Sequence, residues 1–383
     1  MKRWIYYVKT AIAAATLLLA LAVFSGFWPL KWWLDLHPGP ALSRLLVCGV
    51  LGAAVALGAM ALLAVLGGRW YCSVLCPLGI LQDWAAKLAH SGVLKTQRKV
   101  LRYAVALAVW GLALCGWNLL LRLMEPFSIV GAALSMAWGG LLALAFIVLA
   151  SLWKRRLYCA QLCPVGTLLG LCSRSSLFTL RLSEEKCLHC GLCRKNCPAA
   201  AIVPDAFQVD DEHCLRCLTC LKVCPSEVIA WGRRPFKAAP VDSRRRQLLT
   251  GGAAALASGI LAVGARKLAP KAPPGEPLPI CPPGAETPWR FAALCANCGV
   301  CVAHCQGKVL RPGGLFRPVH LDYSLGMCEF NCNTCSQICP FGALQPLAPA
   351  EKKRRRIGMA HFEPWLCVAV EQKTPCGACA EHC

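Results

Sequence analysis

Two copies of one cysteine pattern lie in the middle of the chain and restrict what it can fold into more than any other feature. Each copy has the spacing Cys-x2-Cys-x2-Cys-x3-Cys-Pro. This is the spacing of a bacterial two-cluster ferredoxin, in which the fourth cysteine of each run ligates the other cluster. The sequence therefore predicts two 4Fe–4S clusters. Their ligand sets are Cys187, Cys190, Cys193 with Cys224, and Cys214, Cys217, Cys220 with Cys197.

Zinc binding and disulfides are the alternatives for any cysteine-rich stretch. Zinc sites usually pair two Cys-x2-Cys units, which differs from this duplicated register. The 28 cysteines also lack the spacing of a small secreted disulfide scaffold. We therefore favour iron–sulfur clusters. The prolines that follow Cys197 and Cys224 predict the first turn of a short helix at each position.

Further runs of the same kind occur towards the C-terminus. The exchange rule predicts two more cluster sites there. Their ligand sets are Cys295, Cys298, Cys301 with Cys339, and Cys328, Cys332, Cys335 with Cys305. A last run consists of Cys367, Cys376, Cys379 and Cys383. It has no partner run, so we expect an intact protein to continue beyond Cys383 with another one.

The composition indicates a membrane protein with soluble parts. Apolar residues make up 57% of the chain and the mean hydropathy is +0.51. Four apolar stretches, 9–28, 43–66, 101–121 and 131–152, are each long enough to cross a hydrocarbon core of about 30 Å. Lysine and arginine are concentrated before the first, between the second and third, and after the fourth. The positive-inside rule then places both ends of this unit in the cytoplasm. This distribution accounts for the net charge of +22 without nucleic-acid binding.

The second and fourth apolar stretches lead into the same motif, Arg-x-Tyr-Cys-x3-Cys-Pro-x-Gly. Its cysteines are Cys72, Cys76, Cys159 and Cys163. Two parallel helix-hairpin repeats predict a pseudo-two-fold axis along the membrane normal, which would bring the four cysteines together. They would then ligate one shared cofactor or form redox-active thiol pairs. The remaining alternative is that each pair belongs to a capped helix start with small buried thiols.

Other cofactor and catalytic sites find little support. His37 falls in a predicted periplasmic loop and His90 in a cytoplasmic one, so no histidine pair could ligate a haem inside the bundle. The sequence contains no recognisable nucleophile triad, phosphate-binding loop or catalytic carboxylate pair. It also shows no identifiable quinone pocket.

The segment 243–266 joins the two halves of the chain. It begins with serine and three arginines and continues as a mildly apolar stretch rich in glycine and alanine. This pattern is typical of a twin-arginine signal and could also serve as a short fifth span. In both cases the following part would be periplasmic, whereas a buried cytoplasmic helix is the alternative. A proline-rich linker, 267–290, follows.

The predicted organisation combines two fold classes. Residues 1–175 form an α-helical membrane domain, a four-helix core built as two hairpin repeats. Residues 176–235 form a cytoplasmic two-cluster ferredoxin with an α+β fold. Residues 291–383 form a periplasmic polyferredoxin.

These motifs together resemble a known family. Residues 1–235 resemble the NapH-type quinol dehydrogenase membrane subunit of periplasmic nitrate reductase systems. Residues 243–383 resemble the start of a NapG/MauM-type polyferredoxin. The resemblance implies a multi-pass protein of the bacterial inner membrane. It would take electrons from the membrane quinone pool as quinol and pass them through 4Fe–4S clusters to a periplasmic oxidoreductase or cytochrome. Any substrate turnover would be quinol oxidation alone.

A second function stays open within the same resemblance. Relatives of the NosR and CcoG kind share the membrane core. They imply an accessory or maturation protein that uses its clusters for reductive activation or metal-site assembly of a partner.

Overall fold

The computed structural model describes residues 4–49, 51–89, 91–94, 97–115, 118–184, 187–203, 208–233, 280–314, 317–324, 326–358 and 362–382. The twin-arginine-like segment 243–266 and residues 267–279 of the predicted linker lie outside these ranges. Residues 4–173 form a helical core. Its helices are α1 (Trp4–Phe24), a 3-10 helix (Trp28–Leu36), α2 (Pro38–Cys48), α3 (Leu51–Gly67), α4 (Tyr71–Val74), α5 (Pro77–Leu88), α6 (Lys99–Leu114), α7 (Leu119–Met124), α8 (Pro126–Leu134), α9 (Trp138–Trp153), α10 (Leu157–Gln161) and α11 (Pro164–Ser173).

Two ferredoxin parts follow the helical core. The central ferredoxin contains β1 (Phe178–Leu182), α12 (Leu192–Lys195), β2 (Ile202–Val203), β3 (Gln208–Val209), α13 (Thr219–Val223) and β4 (Ile229–Arg233). Strand β1 pairs antiparallel with β4, and β2 pairs antiparallel with β3. The C-terminal ferredoxin, residues 280–358, contains helices Pro288–Leu294, Val300–Ala303, Thr334–Ile338 and Pro349–Arg354 and the strand pair Leu310–Arg311 with His320–Leu321. Beyond it lie a 3-10 turn, Pro364–Leu366, and short helices Val368–Glu371 and Ala378–His382.

The prediction that a helix starts after Cys197 and Cys224 is wrong. A turn follows each of these cysteines, whereas the short helices α12 and α13 precede them. The backbone enters the left-handed region at Ala200, with φ 49°, and at Glu227, with φ 48°. A helix cannot continue through that conformation.

The four predicted spans differ from the helices that the structure forms. Among the described residues, α1 alone is a single helix long and apolar enough to cross a membrane, while α8 and α9 pass that test together as a pair bent by 119°. The stretch 43–66 is divided at Gly49, where the backbone is left-handed and α2 ends. The stretch 131–152 is divided between α8 and α9. Helices α3 and α6 have 17 and 16 residues, so helix length supports one span directly.

The long helices nevertheless present large apolar side chains on their outer surface. Leu18 of α1, Leu51 of α3 and Leu107 of α6 are 67%, 78% and 77% exposed. Leu142 and Phe146 of α9 are 68% and 69% exposed. An apolar belt of this extent is unusual for a surface that faces water.

The helical core repeats one order of elements. The first half contains α1, the 3-10 helix, α2 and α3, and the second half contains α6, α7, α8 and α9. His37 precedes Pro38 at the start of α2, and Glu125 precedes Pro126 at the start of α8. Proline at the first helical position is already in helical geometry, so both halves start their short helix at an equivalent point.

The two ferredoxin parts lie at opposite ends of the helical core. Helix α1 is about 31 Å long at 1.5 Å per residue. At its N-terminal end, Lys222 of the central ferredoxin lies over the ring of Tyr6, 5.2 Å from the centroid. Just past its C-terminal end, a Cβ on Gly26 would lie 3.1 Å from the carbonyl oxygen of Ala303 in the C-terminal ferredoxin.

Hydrogen bonds fix both contacts. At the central ferredoxin, Nε of Arg216 donates to the carbonyl oxygen of Gly67 at 3.0 Å. At the C-terminal ferredoxin, Asn118 donates to the carbonyl oxygen of Leu294 at 2.8 Å, and the Ser43 hydroxyl donates to that of Phe341 at 2.9 Å. Side-chain donors that bind backbone carbonyl oxygens therefore join each ferredoxin part to the helical core.

A buried ion pair joins the two halves of the helical core. Arg156 of the second half is fully buried and makes two hydrogen bonds of 2.6 Å to the Asp83 carboxylate of α5. Its remaining nitrogen donates to the carbonyl oxygen of Cys72 at 2.9 Å. Lys9 of α1 lies 3.6 Å from the same carboxylate.

Removal of this carboxylate should destabilise the helical core. We expect Asp83→Asn to lower the free energy of unfolding by about 3 kcal/mol, the lower end of the range for breaking a buried ion pair, because Asp83 is 24% exposed. Thermal unfolding in detergent, followed by near-ultraviolet circular dichroism, measures the change. The control is Asp35→Asn, which removes the more exposed pair with Arg44 and should cost less than about 1 kcal/mol. Equal effects of the two substitutions would contradict the structural role of Asp83.

Candidate iron–sulfur centres

Four cysteines from the two halves of the helical core meet in its interior. Cys72, Cys76, Cys159 and Cys163 are 5%, 3%, 4% and 4% exposed. They belong to one hydrophobic cluster and lie within electrostatic range of one another. We call them the four-cysteine group. Their arrangement is what the repeated motif requires if both copies contribute to one site.

The geometry of the helix start explains the Cys-Pro-x-Gly part of each motif. The second cysteine of each copy is the N-cap residue of α5 or α11, and the proline is the first helical residue. A Cβ on Gly79 would lie only 2.3 Å from the carbonyl oxygen of Cys72. In the second copy, a Cβ on Gly166 would lie 3.2 Å from that of Cys159. Glycine therefore lets the new helix pack against the turn that carries the first cysteine.

The surroundings of the sulfur atoms fit an anionic cofactor. Gln82 Nε2 donates to Cys159 Sγ at 3.2 Å, and the backbone N–H of Gly166 donates to Cys163 Sγ at 3.2 Å. A guanidinium nitrogen of Arg69 lies 3.8 Å from the sulfur of the first cysteine in its own motif. The N-termini of α5 and α11 add positive partial charge. Hydrogen bonds to sulfur are among the features that tune iron–sulfur clusters.

The donor set itself is compatible with an iron–sulfur cluster. Four cysteine sulfurs are the usual ligands of a 4Fe–4S cluster, and four cysteines can also hold zinc. Within the described ranges, no group of three or more histidine, cysteine or acidic side chains is placed to hold a single metal ion.

The structure brings sixteen ferredoxin cysteines into four groups. In the central ferredoxin, electrostatic neighbours are Cys193 with Cys187, Cys190 and Cys224, and Cys220 with Cys214, Cys217 and Cys197. In the C-terminal ferredoxin, Cys301 has Cys295, Cys298 and Cys339 as neighbours and also Cys335, while Cys335 has Cys328, Cys332 and Cys305. Apart from the proximity of Cys301 to Cys335, these neighbours correspond to the four predicted ligand sets. Ligation itself stays a prediction.

Burial controls the charge of these thiols. It raises the pKa of Cys197 to about 12, and repulsion from the neighbouring Cys217 acts in the same direction. The backbone N–H of Ala201 opposes both effects by donating to Cys197 Sγ at 3.3 Å. Burial likewise raises the pKa of Cys335 to about 12. Without iron these thiols are protonated at neutral pH, so cluster assembly must release protons.

The last cysteine run lies apart from these groups in sequence. Cys367 is half-buried, Cys376 and Cys379 are exposed, and Cys383 lies outside the described residues. Their role as ligands stays a prediction.

The sequence analysis missed a buried polar layer that lies beside the four-cysteine group. His37 is fully buried, and its Nδ1 lies 2.7 Å from the hydroxyl oxygen of Tyr71. Glu125 is also fully buried and accepts a hydrogen bond of 2.6 Å from the backbone N–H of Ser128. In the described part of the chain, His37 Nε2 and Glu125 Oε1 have no hydrogen-bond partner.

The position of His37 corrects an expectation. We expected this residue in a periplasmic loop, but α2 begins inside the helical core, so its N-cap residue, His37, is buried there. The signal that could have revealed it is the repeat itself, because His37-Pro38 in the first half corresponds to Glu125-Pro126 in the second.

The polar layer is linked to the C-terminal ferredoxin through Phe127 and α8. The ring of Phe127 packs against His37, with 4.7 Å between centroids, and against Phe341, with 6.3 Å. A Cβ on Gly131 of α8 would lie 2.2 Å from the carbonyl oxygen of Cys298. The polar layer therefore has the four-cysteine group on one side and a ferredoxin cysteine group on the other.

Two family models match the chain. The first, described as a 4Fe-4S binding domain, matches residues 49–96, 135–182 and 335–357. Its first two matches cover the two Cys-x3-Cys-Pro motifs together with α3 and α9. The second, described as a 4Fe-4S dicluster domain, matches residues 179–225, the central ferredoxin. The class of protein is thus a polyferredoxin with 4Fe–4S binding domains.

Curated relatives refine this class. The putative electron transport protein YccM of Escherichia coli K12 is 28% identical over 231 residues, which are 54% of this chain and 62% of YccM. The ferredoxin-type protein NapH of the same strain is 31% identical over 164 residues, 40% and 57% of the two chains. The methylamine utilization ferredoxin-type protein MauN of Paracoccus denitrificans is 31% identical over 152 residues, 37% and 52%. Within this class, the chain is similar to ferredoxin-type proteins of the NapH type.

The matches cover only part of the relatives. The chain spans between about half and three fifths of the length of YccM, NapH and MauN. No solved structure matches it significantly.

Loss of one ligand from the four-cysteine group should remove one cluster. We expect Cys159→Ser to lower the iron content by about four atoms per chain, because a thiolate ligand is lost. Iron and acid-labile sulfide analysis of anaerobically purified protein measures this. The control is Cys172→Ser, which changes a half-buried cysteine of α11 outside the group. Unchanged iron in Cys159→Ser would show that the group is structural.

Proposed function

We propose that this protein carries electrons from membrane quinol across the inner membrane, through 4Fe–4S clusters, to a periplasmic oxidoreductase. The observation that carries the proposal is the order of the cysteine groups. The central ferredoxin, the four-cysteine group and the C-terminal ferredoxin follow one another from one end of the helical core to the other. Such a series is what electron transfer by short steps requires.

The proposal treats α1, α3, α6 and α9 as four membrane spans. Each of these helices runs between the end that holds the central ferredoxin and the end that holds the C-terminal one. Helices of 16 and 17 residues are about 24 to 26 Å long, somewhat shorter than a typical hydrocarbon core, and local thinning of the bilayer would accommodate them. The lysine and arginine distribution supports a cytoplasmic central ferredoxin and a periplasmic C-terminal one.

Short contacts link the central ferredoxin to the four-cysteine group. The Ser73 hydroxyl, next to Cys72, donates to the carbonyl oxygen of Arg216 at 3.2 Å. Arg216 lies between Cys214 and Cys217 in the sequence. A cluster in that ferredoxin set and one in the four-cysteine group would thus be separated by little more than one layer of backbone.

The other link leads through the buried polar layer. Tyr71 precedes Cys72 and meets His37, whose ring packs on Phe127, and α8 then touches the backbone of Cys298. This path supplies a crossing of the membrane without haem.

The electron balance needs more than one cluster. Oxidation of one quinol to quinone releases two electrons and two protons. A bound 4Fe–4S cluster accepts one electron at a time, so two clusters take the pair and the protons go to water. This chain supplies thiolates, sulfur hydrogen bonds and burial, which set the potentials.

Quinol should reduce the clusters of the intact protein. We expect reduced 4Fe–4S signals in low-temperature electron paramagnetic resonance after anaerobic addition of a reduced menaquinone or ubiquinone analogue. Dithionite reduction of a matched sample gives the total signal for comparison. Clusters that dithionite reduces and quinol does not would favour the accessory role. The regulatory protein NosR of Pseudomonas aeruginosa, 27% identical over 148 residues, is a relative on which that alternative rests.

Reporter fusions should place the two ferredoxin parts on opposite sides of the membrane. We expect alkaline phosphatase fused after Pro340 to be active, because that enzyme matures only outside the cytoplasm. The same reporter fused after Trp231 should be inactive. Green fluorescent protein at the same two positions serves as the reciprocal control. Activity of both phosphatase fusions, or of neither, would contradict the proposed sidedness.

A further inference from the structure

We propose that the quinol binds in a cavity between α1 and α3, beside the first Cys-x3-Cys-Pro motif. This inference rests on the proposed function and identifies the binding site of its substrate. The cavity has a volume of about 440 Å³, within the usual range for small-molecule sites. Its lining includes Val8, Ile12, Met60, Leu63, Ala64 and Arg69.

The cavity is reached from the apolar belt of the helical core. Val8 and Ile12 of α1 are 45% and 49% exposed, and Leu63 of α3 is 58% exposed. All three are on the outer surface as well as in the lining of the cavity. A hydrophobic molecule dissolved in the bilayer can therefore enter from the side, without passing through water.

Two buried cations, Lys9 and Arg69, line an otherwise largely apolar cavity. Lys9 is paired with the Asp83 carboxylate at 3.6 Å. Arg69 is 1% exposed. It donates to the carbonyl oxygen of Glu212 at 3.3 Å and lies 3.8 Å from Cys72 Sγ. Its Nε has no hydrogen-bond partner among the described residues. A buried donor without a partner costs free energy, and the oxygen of a quinol headgroup is an acceptor that would remove this cost.

In the second half of the helical core, the equivalent arginine has no nitrogen left to bind a ligand. Arg156 is the residue equivalent to Arg69, and its three nitrogens all donate, two to Asp83 and one to the Cys72 carbonyl oxygen. Ser151, equivalent to Ala64, is fully buried, and its hydroxyl is bound to the carbonyl oxygen of Ile147 at 2.7 Å. The pseudo-two-fold symmetry is therefore broken at this site, because Arg156 has no spare donor where Arg69 has one among the described residues.

The position next to Cys72 favours quinol over a lipid chain. An acyl chain would also fill an apolar cavity, but it has no oxygen that could accept a hydrogen bond from the Nε of Arg69. A quinol headgroup at this donor would lie beside a predicted ligand of the four-cysteine group, so its electrons would enter the cluster series there.

A photoreactive azidoquinone tests the site without relying on turnover. We expect irradiation of the full-length protein in bilayer nanodiscs to label residues 5–12 or 60–75, identified by peptide mass spectrometry. Excess unlabelled quinone should suppress the labelling. Label confined to other segments, or label in these segments that excess quinone does not suppress, would overturn the proposal. The second pattern would identify a lipid slot.

A cavity-filling variant tests the same site by kinetics. We expect Ala64→Phe to raise the decylubiquinol concentration that gives half-maximal cluster reduction by about tenfold or more. Its dithionite-reduced spectrum should match that of the unsubstituted protein, which shows that the clusters are intact. The control is Ala59→Phe, the same change at an exposed position of α3. An unchanged half-maximal concentration in Ala64→Phe would overturn the site.

The two experiments separate this inference from the proposed function. If excess quinone suppresses labelling of the cavity but quinol does not reduce the clusters, the binding site is supported and the proposed electron flow is rejected. If quinol reduces the clusters but all of the label lies outside the cavity, the electron flow is supported and the cavity is rejected as the binding site.

Discussion

If the four-cysteine group binds the predicted cluster, four buried thiolates must be neutralised, and this demand accounts for much of the structure around them. Ionised sulfur ligands in an apolar interior are unstable unless positive charge and hydrogen-bond donors surround them. Arg69, Gln82 and the N-termini of α5 and α11 meet this demand. The arginine of the second copy, Arg156, holds the turn of the first copy through its bond to the Cys72 carbonyl oxygen. Each half therefore helps to build the site that both halves share.

The short helices α2 and α8 bring buried polar side chains into the helical core. Each begins inside the helical core, so His37 and Glu125 lie where ordinary hairpins would place only apolar side chains. The C-terminal ferredoxin then packs on α8, and Gly131 permits that contact because it has no side chain. At the tyrosine of the motif the two copies are similar. Tyr71 of the first copy is hydrogen-bonded to His37, and Tyr158 of the second copy donates to the carbonyl oxygen of Met124, next to Glu125.

Much of the local chemistry could be predicted from the sequence. The cysteine spacings predicted the ferredoxin parts, and family models match the central one over residues 179–225 and the C-terminal one over residues 335–357. The repeated motif predicted that Cys72, Cys76, Cys159 and Cys163 would meet. The span boundaries were less accurate, because hydropathy alone cannot distinguish one long helix from two short ones that bend at Gly49 or between α8 and α9. The prolines after Cys197 and Cys224 were misleading for a similar reason, since a left-handed residue further along ends the turn.

The sequence by itself determined which atoms are available for ligation, because cluster binding depends on thiolates at fixed short spacings along the chain. It also determined that two equivalent motifs exist. The tertiary structure alone decided how these pieces face one another. Only packing puts His37 beside Tyr71 and binds all three nitrogens of Arg156. Packing also leaves the Nε of Arg69, a residue that lines the cavity, without a hydrogen-bond partner among the described residues. Identical residues in two copies thus acquire different roles, because hydrogen bonding and burial depend on neighbours that are distant in the sequence.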